Sequence, residues 1–148
     1  MLLVYARPAR RLPLMIAFGA ATVIEFVGKT WVNQPTTPDE LVRYVPLFPL
    51  FSGDINPGFS FPSGHAVRTT FILIVLASMI ATSRLKNSKI AFYAALCLFE
   101  IGMLFSRVYL AEHWTTDVIG GALLGAACVL IALSWEIPPP KFFMRKTL

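Results

Sequence analysis

Charge is scarce in this chain of 148 residues: only 14% are Asp, Glu, Lys or Arg, where a soluble domain carries about 25%. Cysteine is rarer still. Cys97 and Cys128 both fall deep in apolar stretches, without the spacing of a metal site or a disulfide framework, and so read as small buried hydrophobes. No cluster of carboxylates and no Cys/His cluster with metal-ligand spacing is visible, so nothing in the sequence asks for a metal or another cofactor. No internal repeat or low-complexity tract is visible, which sets aside repeat architectures and disordered linkers.

What the chain has instead is long apolar runs. Hydrophobic residues make up 56% of it, and the mean hydropathy is +0.66. Four runs stand out: Leu12 to Val32, Ala66 to Thr82, Ile90 to Phe105 and Val118 to Trp135. Each approaches the ~20 residues that cross a bilayer core as a helix. The fourth holds no charge. The sequence therefore predicts an all-α, polytopic membrane bundle forming a single domain, 1–148, with spans of about 12–32, 64–83, 89–106 and 117–136. A soluble helical bundle would not gather its apolar residues this way. The start, basic and then apolar, resembles a signal peptide with small residues at Ala17 to Ala21. Its apolar stretch continues to Trp31 and Val32, however, which favours a span.

The net charge of +5 would suit a nucleic-acid partner, but the cations are placed otherwise. Arg7, Arg10 and Arg11 precede the first run, Arg84, Lys86 and Lys89 separate the second and third, and Lys141, Arg145 and Lys146 follow the fourth. With four crossings these nine share one side. The positive-inside rule then puts both termini in the cytoplasm of an integral cytoplasmic-membrane protein. Lys29, Arg43, Arg68 and Arg107 belong near the opposite face. Trp31, Trp114 and Trp135 sit near span ends, as interfacial aromatics do.

Two polar loops meet on that non-cytoplasmic side. The first, 33–62, has six prolines and resists regular helix; its middle, Leu41 to Phe51, suits a segment lying on the interface. The second is Ser106 to Thr116. A short basic hairpin, Ser83 to Lys89, closes the other side, and Pro138-Pro139-Pro140 stops the last helix. Between them the two non-cytoplasmic loops and their helix starts hold both histidines, His65 and His113.

His113 and Asp117 are spaced i, i+4 at the entry to the fourth helix, so a carboxylate can orient the imidazole and leave its other nitrogen free to attack. The plainer alternative is an N-terminal Asp complementing the helix dipole. Arg107 is suited to gripping phosphate oxygens, or else anchors at the surface. Phe61-Pro62-Ser63-Gly64-His65 opens the second helix, whose first N–H groups point at incoming anions. Gly64 allows close approach, Ser63 can also cap, and His65 could protonate a leaving oxygen.

Pro62-Ser63-Gly64-His65 and Ser106-Arg107, with His113 and Asp117 following at fixed spacing, resemble the second and third signature motifs of the type 2 phosphatidic acid phosphatase superfamily. That superfamily also holds vanadium-dependent haloperoxidases and glucose-6-phosphatase. The resemblance runs from about Gly28 to Trp135. It implies a lipid phosphatase without a metal: His113 as nucleophile forming a phosphohistidine, Asp117 orienting it and His65 protonating the leaving group. Lys29, Ser63, Gly64 and Arg107 would bind the phosphoryl oxygens. The substrate would be a lipid phosphate or diphosphate of the phosphatidic acid, phosphatidylglycerophosphate or undecaprenyl diphosphate class, at the outer face of the membrane.

Two departures qualify it. The family's first motif is a Lys, six residues, then Arg-Pro; here Lys29 is followed by Thr36-Thr37-Pro38, so the Arg is missing. Arg68, three residues after His65 on the same helical face, is either an anchor snorkelling to the interface or the substitute in the phosphate pocket, with Arg43 the weaker candidate for that task. Membrane members of the family usually have six spans, and these four match the last four. A fragment, a short form or a homo-oligomer are the readings left open. The alternative function is a catalytically weak or inactive phospholipid-binding membrane protein that keeps the pocket. Glu25 is expected to tether Lys29, Glu100 to form a structural tie on the face it shares with Arg107, and Gly121 with Gly125 to pack helices.

Overall fold

A computed structural model describes residues 8–43, 59–83 and 88–135. Four helices account for most of them: α1 (Pro8–Trp31), α2 (Gly64–Ala81), α3 (Lys89–Tyr109) and α4 (Thr115–Ser134). All four are long and apolar enough to cross a membrane, and no strand occurs among the described residues. The helix α1 starts before the apolar run does, at Pro8, a residue whose fixed φ and missing N–H suit a first helical position. The third helix extends one turn past the expected 106 to Tyr109, while the fourth begins at Thr115 and ends at Ser134. Most of the interfacial segment 41–51, the basic hairpin residues 84–87 and the triple proline fall outside the described residues, as do most of the cations assigned to the cytoplasm.

The organising helix is α4, which packs most extensively on α2 and next on α1; α3 leans on α2 at the edge of the bundle. Glycine makes the α2–α4 contact close. A Cβ on Gly121 would lie 2.5 Å from the Ser63 carbonyl oxygen, and one on Gly125 would run into the Val67 carbonyl. This is the small-residue packing that the Gly-x-x-x-Gly spacing implies. Around it lie the fully enclosed apolar side chains Ala66, Val67, Val118 and Val129, with Phe18 of α1 set edge-on to Phe71 of α2 at 5.2 Å.

Large apolar residues cover the outside: Met15, Val23 and Phe26 on α1, Leu98, Ile101 and Phe105 on α3, Leu123 and Ile131 on α4. In water such a surface would be unsustainable; in a bilayer it faces its natural solvent. Cys97 belongs to this exposed surface and Cys128 is only partly covered. The expectation of buried cysteines is thus corrected: in a membrane protein a small hydrophobe can face lipid as readily as core.

Glu100, within the third span, accepts a hydrogen bond from the Thr70 hydroxyl of α2. Its tie is to Thr70 across the helix pair, and not to Arg107, which pairs with Glu112 instead. Seven residues along one helix is about 10 Å of rise, too far for side chains that have nearer partners.

Candidate functional site

The ends of all four helices converge at one pole of the bundle: the C-termini of α1 and α3 and the N-termini of α2 and α4. Loop residues knit this pole together. Thr37 donates to the Ala111 carbonyl, Gln34 Nε2 to Thr116 Oγ1 at 2.6 Å, and Trp114 Nε1 to the Pro35 carbonyl at 2.9 Å. The Ser60 N–H donates to the Gln34 carbonyl at 3.0 Å. Ala111 takes φ 57°, a left-handed conformation uncommon for a residue with a Cβ. Its carbonyl is the one that Thr37 holds, so the turn before His113 is pinned by the long loop.

The two motif segments are joined directly. The Ser63 N–H donates to the backbone carbonyl of Asp117 at 2.9 Å, stitching the turn before α2 to the first turn of α4. Phe61–Pro62 is a cis peptide bond, and Pro62 lies against Gly28 of α1, where any Cβ would be 2.6 Å from the ring. Ser63 occupies the N-cap position of α2, but its hydroxyl makes no capping bond. That hydroxyl is fully buried and has no hydrogen-bond partner among the described residues. The sequence offered capping as one role for Ser63; the structure leaves the hydroxyl unspent beside the helix N-terminus.

Asp117 is wholly buried. Its Oδ2 accepts the Trp114 N–H at 2.9 Å and stands 3.5 Å from His113 Nδ1. At that distance the imidazole and carboxylate are neighbours without a formed hydrogen bond, and Nδ1 has no other partner among the described residues. Burial depresses the His113 pKa below its ordinary 6.5, and the Asp117 charge opposes that shift only in part. A neutral ring is thereby favoured.

Glu25 is the buried carboxylate of α1. One oxygen lies 3.3 Å from Lys29 Nζ, the tether read from the sequence, and the other 2.9 Å from a terminal nitrogen of Arg68. Gly64 makes room for this bridge: a Cβ there would overlap both the Glu25 carboxylate and the Arg68 guanidinium. Arg68 therefore lies over the Ser63-Gly64 turn, 43% exposed. Arg43 turns elsewhere, onto the Tyr109 ring at 4.9 Å, and Thr36 is exposed. His65 is exposed at the start of α2, and the charges of Arg107, Glu112, Arg68 and Lys29 all act on its ring.

Arg107 forms an ion pair with Glu112, both side chains about four-fifths covered. Sequence reading missed Glu112; the signal was a carboxylate directly before His113, five residues after Arg107, in a loop short enough to fold back. Among the described residues no group of three His, Cys, Asp or Glu is gathered as a metal site would need. The pole thus brings together Lys29, Arg68 and Arg107, both histidines and the N-termini of α2 and α4. Such a set can grip an anion and offer it an imidazole nitrogen.

The chain belongs to the PAP2 superfamily, whose family model matches residues 10–138. It is an integral membrane protein by its four spanning helices and by its likeness to a crystal structure of a transmembrane PAP2-type phosphatidylglycerolphosphate phosphatase from Bacillus subtilis. That likeness has a TM-score of 0.68 at 26% identity, over 88% of this chain and 61% of the other. Phosphatidylglycerophosphatase B of Bacillus subtilis is 30% identical over 114 residues, which is 76% of this chain and 51% of that protein. A putative undecaprenyl-diphosphatase of Escherichia coli is 30% identical over 87 residues, 58% of this chain and 40% of the other. The chain spans about half the length of the curated relatives it matches.

Proposed function

We propose that this protein hydrolyses a lipid phosphate through a phosphohistidine, using side chains alone. His113 attacks phosphorus, the P–N bond forming as the bond to the leaving oxygen breaks. His65 gives that oxygen its proton. Water then attacks the phosphohistidine, His65 takes the water's proton, and phosphate departs as the P–N bond breaks. Asp117 orients His113 and supports the positive charge the ring acquires. Lys29, Arg68 and Arg107, with Ser63 and the N–H groups at Gly64, hold the phosphoryl oxygens, whose charge spreads in the transition state.

The observation that carries this reading is the junction of the two motifs. The Ser63 N–H to Asp117 carbonyl bond places the anion-binding turn of α2 against the buried carboxylate that backs His113. Substrates of the phosphatidic acid, phosphatidylglycerophosphate and undecaprenyl diphosphate class are the ones to try, because an apolar bundle delivers lipid headgroups to such a pole. The site is assigned to the non-cytoplasmic face of the cytoplasmic membrane. Release of inorganic phosphate from a panel of these lipids in detergent, with EDTA present, tests the proposal. Turnover that persists in EDTA and is blocked by vanadate is the expected result; activity that needs a divalent cation overturns it.

A second reading has one observation in its favour. Thr36 stands where the family's first-motif arginine would be, and it is exposed. A pocket short of that contact could bind phospholipid headgroups and turn over weakly or not at all. Phosphate binding without turnover of any lipid in the panel would decide for it.

A further inference from the structure

Glu112 is a carboxylate inside a site built to hold an anion, and the phosphatase reading gives it no task. Its position is fixed from both sides. The Glu112 and His113 N–H groups donate to the Arg107 carbonyl at 3.1 and 3.3 Å, turning the loop back on the end of α3. The Glu112 side chain then meets Nη1 of the same arginine, while Nε lies 3.4 Å from Ser106 Oγ. With Nη1 engaged, Nη2 still carries two N–H donors in the guanidinium plane. The arginine can therefore grip a phosphoryl group by its remaining edge without releasing Glu112. Glu112 directly precedes His113, and its charge acts on both His113 and His65.

Lys29, Arg68 and Arg107 lie among three carboxylates, Glu25, Glu112 and Asp117. Glu25 and Asp117 are buried behind their partners, whereas Glu112 retains 18% exposure. A single phosphoryl group placed on the cations meets this carboxylate at its edge. A second phosphoryl group, entering as the leaving group on the His65 side, would bring its own charge against it.

We propose that Glu112 is a specificity-determining residue that selects phosphate monoesters of uncharged alcohols over diphosphates. The selection rests on the phosphatase reading of the site and refines its substrate class. Two unit charges about 6 Å apart, at an effective dielectric between that of a protein surface and that of water, repel enough to change a binding constant by roughly three- to a hundredfold. A neutral leaving alcohol, such as the diacylglycerol of phosphatidic acid, meets no such penalty.

The test compares wild type with Glu112→Gln, which keeps the shape and removes the charge. The kcat/KM values for phosphatidic acid, which releases a neutral diacylglycerol, and undecaprenyl diphosphate are measured in detergent, and the Kd values for inorganic phosphate and pyrophosphate by calorimetry. Wild type should prefer the monoester, and should bind phosphate more tightly than pyrophosphate. Glu112→Gln should raise kcat/KM for the diphosphate and the affinity for pyrophosphate about tenfold, leaving the phosphate Kd within about threefold. Equal changes for both ligand types, or none, overturn the selection. A wild type that binds both anions but hydrolyses neither lipid refutes the enzymatic reading alone, since the two Kd values still report the selection. A wild type that binds neither anion overturns both proposals.

Discussion

His113 draws two opposed influences, and their balance is measurable. Burial lowers its pKa below 6.5 and Asp117 raises it. A nucleophilic ring must be neutral, so activity is lost as pH falls through that pKa; the acid limb of kcat/KM should lie below pH 6.5. Asp117→Asn removes the raising influence. Its acid limb should move to still lower pH while kcat falls severely, because the ring loses its orienting charge. A limb that moves upward would contradict this balance of burial and charge. His113→Ala should abolish turnover in a folded protein, and near-normal activity in that variant would rule out the mechanism.

Arg68 carries the other residue-scale question. The structure puts it over the Ser63-Gly64 turn, held by Glu25, beside the helix start proposed to receive the phosphoryl group. Arg68→Ala should lower kcat/KM tenfold or more, the loss expected for one charged contact of ~1.5–3 kcal/mol. Arg at Thr36 in that background should recover part of it. An unchanged kcat/KM in folded Arg68→Ala would make the residue an anchor only.

At the scale of elements, the α2–α4 contact sets the geometry of the site. Gly121 lies against the Ser63 carbonyl and Ala66, so Gly121→Ala should force the two helices apart just where Ser63 meets Asp117. We expect a loss of about 1–3 kcal/mol, the range for an overpacked contact, seen as a lower Tm in detergent, together with reduced activity. Gly102→Ala is the control, since a Cβ there meets nothing within 4 Å; its Tm should hold or rise. Equal losses in the two variants would show that helix propensity, and not this contact, governs the response.

For the whole molecule the question is orientation. If the nine flanking cations mark the cytoplasmic side, a cysteine at Asn56, in a background lacking Cys97 and Cys128, should react with an impermeant reagent in intact cells. One at Lys86 should stay silent. The reverse labelling would invert the site to the cytoplasmic face.

Much of this architecture was legible beforehand because it depends on local quantities. Four apolar runs fix four spanning helices wherever they pack, since an unpaired backbone cannot cross a bilayer. The i, i+4 spacing of Glu25 with Lys29 follows from helix geometry alone, whereas His113 stands in the turn before α4 and is brought to Asp117 by the cap at Trp114. Contacts between helices were not legible. That Glu100 answers to Thr70, that Glu25 reaches Arg68 across Gly64, and that Glu112 folds back on Arg107 all depend on which helix faces which and how closely. Glycine sets that closeness at Gly121 and Gly125, through side chains that are absent. The sequence by itself determined the spans, the motifs and the pole where they meet. Only the tertiary structure decided which partners the charges take from other helices and loops, because in a low-dielectric interior a charge takes the nearest complement in space, whatever its distance along the chain.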